Sequence, residues 1–228
     1  MPCQVLNWES RGLVDYAEAH AHQQALVAAR ADDAIPDTLL LVAHPHTFTL
    51  GRRGRGDSRK NVLAAGEVPV LQVERGGDVT YHGPGQLVAY PIFRLGAGER
   101  DAPGFIRRLE AWVIAACRGL DVNDLDRSPG FSGVWTGPSW ARRGLDGKKL
   151  ASVGVAVTAS WVTWHGIAVN VTTDLAYFAR IQPCGLRAEV MTSLEQLTGR
   201  ALPLPRLATQ LVAALPECLG RKVHAPIT

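Results

Sequence analysis

A chain of 228 residues, 46% hydrophobic and 20% charged, has the length and composition of a globular domain with a buried core, which excludes a disordered or fibrous protein. A net charge of +3, from 24 basic and 21 acidic side chains, is too small to argue for a nucleic-acid partner. Four cysteines, Cys3, Cys117, Cys184 and Cys218, form no CxxC pair or zinc spacing. No apolar run approaches the roughly 18 residues of a membrane span, and the first residues resemble neither a signal nor a transit peptide, so the expectation is a cytosolic protein with reduced thiols and no membrane partner.

Residues 4–8 read as a short strand, and residues 13–30 as a helix with Val14, Ala17 and Ala21 at helical spacing. Pro36 breaks the chain. Residues 38–43 are an apolar run of strand length, which His44, Pro45 and His46 turn into a second short strand over 47–50; residues 51–59 are loop. Strand candidates at 68–74 and 87–94 flank a glycine-rich segment, RGGDVTYHGPGQ at 75–86, whose glycines permit close backbone approach. Pro103 suits the first turn of a helix with Ile106, Leu109, Trp112, Val113 and Ala116 as its apolar stripe. An irregular stretch with Trp and Gly follows. Residues 149–158 and 163–171 are then Val- and Thr-rich strands joined by a short turn, the pattern of a hairpin. Asp174 suits the cap of a brief helix, and Pro205 opens a last helix with Leu207, Leu211, Val212 and Leu215 on one face. Nothing marks a boundary, so residues 1–228 read as a single α+β domain with a mixed, largely antiparallel sheet and packed helices.

The glycine-rich segment is the sharpest local feature, with glycines where backbone N–H groups face a ligand and with His82 and Gln86 for polar contacts. It lacks both the GxxxxGK[ST] phosphate loop and the third glycine of the dinucleotide fingerprint. From the residues alone, a tight connection and a binding site are equally open. Two basic clusters, Arg52, Arg53, Arg55, Arg59 and Lys60, and Arg142, Arg143, Lys148 and Lys149, fit either solvated loops or a docking patch for an acidic protein or a phosphate. A metal centre is not expected: His44 and His46 alternate around Pro45, His20 and His22 share no helix face, and no carboxylate motif accompanies them.

Four ordered motifs carry a family resemblance. RGGDVTYHGPGQ followed by LVAY at 87–90 closely resembles the signature of the lipoyl(octanoyl) transferases; GKKLASVG at 147–154 resembles their lysine-bearing segment, WHGIAVN at 164–170 the strand after it, and IQPCG at 181–185 the segment of their nucleophile. The upstream His44-Pro45 to Gly51 is also similar, so the resemblance spans roughly residues 38 to 195. It implies a fold related to the catalytic domain of biotin and lipoate ligases. It also implies transfer of octanoyl from acyl carrier protein to a lysine of lipoyl domains, such as those of 2-oxoacid dehydrogenase complexes and the glycine cleavage H protein. No cofactor or metal is implied. By the same resemblance Cys184 and Lys149 are catalytic, and the acyl group meets Arg75, Gly76, Gly77, Asp78, Val79, Thr80, Tyr81 and His82, then Ser152, Val153 and Gly154, then Gly166, Ile167 and Ala168. His82 and His165 are either structural histidines or lining of the acyl or carrier-arm site, with Gln86 as a further candidate.

The chemistry agrees with these residue types. Thioester-to-amide transfer between two proteins is easier in two steps, and a thiolate is the natural store for the acyl group. A free thiol with a pKa of about 8.5 is mostly protonated at neutral pH, and a nearby ammonium raises the thiolate share. Lys149 supplies that ammonium, while Lys148 on the same strand points to the opposite face and is solvated. The rivals are an ATP-dependent lipoate or biotin ligase, which needs no cysteine nucleophile, and a non-catalytic module that binds acyl chains or carrier proteins.

Overall fold

The computed structural model describes residues 1–52, 61–182 and 188–223. Strand β1 (Pro2–Asn7) is followed by helix α1 (Tyr16–Ala31) and strand β2 (Asp37–Val42), a crossover that sets β1 and β2 parallel. The helix starts later than its apolar spacing predicts because the Asp15 carboxylate accepts from Ala17 N–H at 2.8 Å and Glu18 N–H at 3.2 Å, capping the free donors of the first turn. Residues 13 and 14 are extended instead, with Val14 N–H donating to Ala43 O.

The chain continues through β3 (Thr47–Leu50), β4 (Val70–Gln72), β5 (Val79–His82) and β6 (Gln86–Ile92) to helix α2 (Ala102–Arg118). Then come β7 (Leu125–Ser128), β8 (Phe131–Thr136), the hairpin β9 (Lys149–Val157) and β10 (Thr163–Asn170), short helix α3 (Leu194–Thr198), helix α4 (Leu204–Leu219) and β11 (Lys222–Val223). Eight strands make one sheet in the order β11-β1-β2-β6-β10-β9-β8-β7, and β4-β3-β5 make a smaller one. The pairings of β1 with β11 and β2 are parallel, and from β2 to β7 the large sheet is antiparallel. The expected α+β domain with a mixed, largely antiparallel sheet is what forms.

Both faces of the large sheet are covered, which is why β2 is a continuous apolar run rather than an alternating one. Leu39 and Leu41 join Leu87 and Ala89 in the core under α2 and α4, where Trp112 Nε1–H donates to Leu211 O at 2.7 Å. Leu40 and Val42 point the other way, with Val88, Tyr90 and Ile92, against Ala19 and Leu26 of α1. The small sheet closes a third cluster, in which Phe48, Leu50, Val79 and Tyr81 pack on Phe178, Ile181 and Met191.

Three segments depart from expectation. The glycine-rich segment is not loop throughout, since Val79–His82 is strand β5, paired with β3; the Val-Thr-Tyr run overrides its glycine flanks. The stretch read as irregular holds β7 and β8, whose register slips between Asp126 and Ser128 and again between Val134 and Trp135, so alternation is broken where the sequence would have shown it. The segment expected as strand over 68–74 pairs only at Val70–Gln72.

Candidate active site

A cleft lies between the β9–β10 hairpin, α1, the segment before β5 and the small sheet's cluster; its empty space measures about 750 Å³ including its mouth. The floor is the paired stretch where Gly154 faces Gly166 and Ser152 faces Ala168. No side chain fits at Gly166, where a Cβ would collide with Ala89 O. At Gly154 a Cβ would stand 3.0 Å from both Gly76 O and Arg75 Cδ, so the missing side chain lets the segment from Arg75 lie on the sheet. Gly76 N–H then donates to Val155 O at 2.9 Å.

Of the residues singled out in the sequence, Arg75, Gly77, Asp78, Val79, Thr80 and His82 line one wall. Lys149, Ser152, Val153, Gly154, His165, Gly166, Ile167 and Ala168 line the floor and its ends. Gly76, Tyr81 and Gln86 are not on the surface of the cleft. Tyr81 turns into the third cluster, where its hydroxyl meets His46 Nδ1 at 2.7 Å and its ring stacks on Tyr177. Gln86 sits behind His82. Tyr16, Val88, Tyr90, Ser132, Phe178 and Met191 also line the cleft; Ser132 lies in the stretch read as irregular, and the other five are apolar or aromatic positions that read as ordinary core.

Arg75 is buried, and its guanidinium donates to Thr49 O at 2.6 Å and Thr49 Oγ1 at 2.9 Å. His82 is buried with Nδ1 2.8 Å from Gln86 Oε1 and Nε2 3.4 Å from Thr49 Oγ1, so Nδ1 carries the proton that the amide oxygen accepts. Burial, with His44 and Arg75 nearby, holds its pKa well below the ordinary imidazole value. Gln86 Nε2–H donates to Tyr81 O at 3.2 Å and Asn170 Oδ1 at 3.0 Å, Asn170 Nδ2–H to Thr192 O at 3.0 Å, and Thr192 N–H to Lys149 O at 3.0 Å. A chain of hydrogen bonds thus runs from His82 to the backbone of Lys149.

Lys149 opens β9, half-buried, with Nζ 5.4 Å from the centre of the Trp135 ring. Gly133, at φ +129°, makes room for it: a Cβ there would stand 2.7 Å from Lys149 Cε. Lys148 Nζ donates to Glu189 O at 2.6 Å, so the neighbouring lysine is tied to a backbone carbonyl rather than only solvated. Cys184 lies outside the described residues, as do Arg53, Arg55, Arg59 and Lys60 of the first basic cluster. The chain on either side of residues 183–187 is anchored: Gln182 N–H donates to Asn61 O at 2.8 Å, and Met191 bridges Lys149 in parallel.

His165 sits on β10 with φ +53°, a backbone conformation rare for a side chain of its size. Its N–H donates to the Gln23 side chain at 2.9 Å. The ring is 1% exposed and neither nitrogen has a hydrogen-bond partner; Nε2 stands 3.5 Å from Glu74 Oε2, too far for a well-formed bond. Burial, with His20 and Arg75 nearby, pushes its pKa down to about 3. Glu74 is engaged instead by His20 Nε2 at 2.8 Å.

A mixed sheet clad by helices on both faces, with an apolar cleft that ends at a lysine, defines a catalytic domain of the ligase and acyltransferase kind. The model of the lipoyl protein ligase A/B catalytic domain matches residues 15–216, and the chain belongs to that family. It is 43% identical over 216 residues to an octanoyltransferase of Rubrobacter xylanophilus, covering 92% of this chain and 91% of the relative. Two solved structures share the fold. A lipoate-protein ligase A bound with ATP matches with TM-score 0.73 at 14% identity, over 100% of this chain and 90% of that one. A biotin protein ligase from Aquifex aeolicus in complex with biotin and ATP matches with TM-score 0.55 at 15% identity, over 96% and 70%.

Proposed function

We propose that residues 1–228 act as one catalytic unit, an octanoyltransferase that carries the acyl group on Cys184. The donor is octanoyl-acyl carrier protein. The acceptor is a lysine of a lipoyl domain, in 2-oxoacid dehydrogenase complexes or the glycine cleavage H protein, and the setting is the cytosol, with no cofactor. The observation that carries this reading is the apolar cleft ending at Lys149, which bridges Met191 and whose carbonyl accepts from Thr192 N–H, a few residues beyond the segment that contains Cys184. Among the described residues no helix is long and apolar enough to cross a membrane.

In the first step the Cys184 thiolate adds to the thioester carbonyl and the carrier thiolate leaves, taking its proton from the Lys149 ammonium, which becomes the amine. In the second the acceptor amine adds to the enzyme thioester, loses its proton to a base, and Cys184 departs as thiolate. The Lys149 ammonium favours the resting thiolate, and its amine form takes the proton from the attacking lysine. The octanoyl tail lies along Val153, Ile167 and Ala168, each buried methylene contributing about 0.8 kcal/mol. Because one methylene is worth only about 1–3 kcal/mol, neighbouring chain lengths are imperfectly excluded.

Intact-mass measurement after incubation with octanoyl-carrier protein, without ATP, tests the reading. An octanoyl adduct that Cys184→Ser lacks is expected. Strict dependence on ATP with no adduct would instead favour a ligase, the activity named for a solved structure that shares this fold.

A further inference from the structure

Three side chains far apart in sequence meet beside the cleft, where the steps of acyl transfer written above use none of them. His20 comes from α1, Glu74 from the chain between β4 and β5, and His165 from β10. His20 Nε2 lies 2.8 Å from Glu74 Oε2, His165 Nε2 lies 3.5 Å from the same oxygen, and one donor atom from each residue falls within 4.8 Å of the others. We propose that His20, Glu74 and His165 form a binding site for a zinc-class divalent metal ion, held by the two Nε2 atoms and a Glu74 carboxylate oxygen.

Bonds of about 2.0–2.2 Å to imidazole and carboxylate put the donors of a tetrahedral ion roughly 3.3–3.5 Å apart. The His165–Glu74 separation already has that value, and the His20–Glu74 pair opens by about half an ångström as the ion replaces the proton between them. His165 is the second, independent sign. A buried imidazole with neither nitrogen partnered costs free energy, and the strained backbone at φ +53° holds it there. The ring of Trp164 lies 4.4 Å from that of His165 and 5.6 Å from that of His20, restricting both donors. Gln23, less than one turn beyond His20 on α1, holds the His165 backbone, so helix and strand are registered at the site. The nearest competing cation, Arg75, is drawn into hydrogen bonds with Thr49. Two imidazoles and one carboxylate select zinc, cobalt or nickel over magnesium or calcium. His165 also lines the cleft, which puts the site at its edge.

Zinc titrated into the full-length protein against a chromophoric chelator, in the wild type and in Cys184→Ser, tests the site. We expect saturation at one ion per chain in both, with affinity falling roughly tenfold or more in Glu74→Gln and in His20→Ala. Cobalt in place of zinc should give visible bands of a nitrogen and oxygen set, without thiolate charge transfer. Circular dichroism first checks each variant, and His20→Gln, which keeps helix propensity, replaces His20→Ala should the latter unfold. No saturable binding at micromolar zinc, binding that survives both substitutions, or binding lost in Cys184→Ser would each overturn the proposal; none of these results bears on the thioester adduct.

Discussion

The two ends of the cleft are built on opposite principles. Lys149 and His165 lie on neighbouring strands, but His165 pairs with Val155, so the two are separated by six residues of β9, about 20 Å along the strand. At the lysine end, order comes from the backbone: Thr192 bonds to Lys149 O and Gly133 vacates space for the side chain. At the histidine end, order comes from side chains, and there two buried imidazoles differ. His82 has both nitrogens engaged, while His165 has neither. A polar group whose partners are all supplied by the fold is an anchor; one left without them at a cleft wall is free to meet a ligand.

The largest test of this contrast is at the lysine end. Cys184→Ser should lower octanoyl transfer by a factor on the order of 10⁴, with an unchanged melting curve, because a hydroxyl is a poor acceptor in thioester exchange. Lys149→Ala should lower kcat by about 10²–10⁴ in single-turnover assays, again with the fold intact. Full activity in either variant would remove the lysine end from the chemistry.

The anchor is tested by denaturation. Gln86→Leu strands His82 Nδ1, Tyr81 O and Asn170 Oδ1, and should cost about 1–3 kcal/mol in urea. A neutral result would mean that the hydrogen-bond chain from His82 to Lys149 is not a structural support.

Acid should weaken the fold through buried histidines. His44 and His165 are held neutral, with pKa values pushed down to about 4 and about 3 from 6.5, burial being the first cause in each. The unfolded chain takes up these protons below its own pKa and the folded chain does not, so stability is complete above about pH 6.5 and is lost as pH falls toward the folded values. Each such histidine adds a slope of about 1.4 kcal/mol per pH unit. Urea midpoints measured from pH 7 to pH 4.5 should fall, and His165→Gln should flatten the slope; an unchanged slope would mean that His165 titrates normally.

The sequence made one end of the cleft more legible than the other. The family resemblance picks Lys149 over Lys148, since Lys149 directly precedes Leu150-Ala151-Ser152, and the hairpin that carries it shows as two Val- and Thr-rich runs. The stripes of α2 and α4 show in the sequence because burial of one helix face leaves a period, and β2 shows because burial of both its faces leaves an unbroken apolar run. The histidine end left none. His20, Glu74 and His165 come from three elements and meet only when α1 packs on the sheet, and His20 by spacing alone looked like one of two unrelated helix histidines. Strands β7 and β8 were hidden by their register shifts, and Phe178 and Met191, which complete the apolar wall, look in sequence like any other core residue.

The smallest expected effect sharpens the contrast most. Lys148 and Lys149 are adjacent and identical in chemistry, so composition and net charge change equally when either is lost. The geometry separates them: the Lys148 ammonium is held by Glu189 O at the surface, whereas Lys149 extends past Gly133 into the cleft. Lys148→Ala gives up one exposed hydrogen bond and should shift stability by no more than about 0.5 kcal/mol, with little change in the acyl-transfer rate. If the carrier protein docks through the basic cluster at Arg142, Arg143 and Lys148, the loss appears as a higher KM that fades with added salt, since exposed charge pairs are screened. A fall in kcat matching that of Lys149→Ala would mean that position on the strand does not distinguish the two lysines, and the assignment of Lys149 to the chemistry would fall with it.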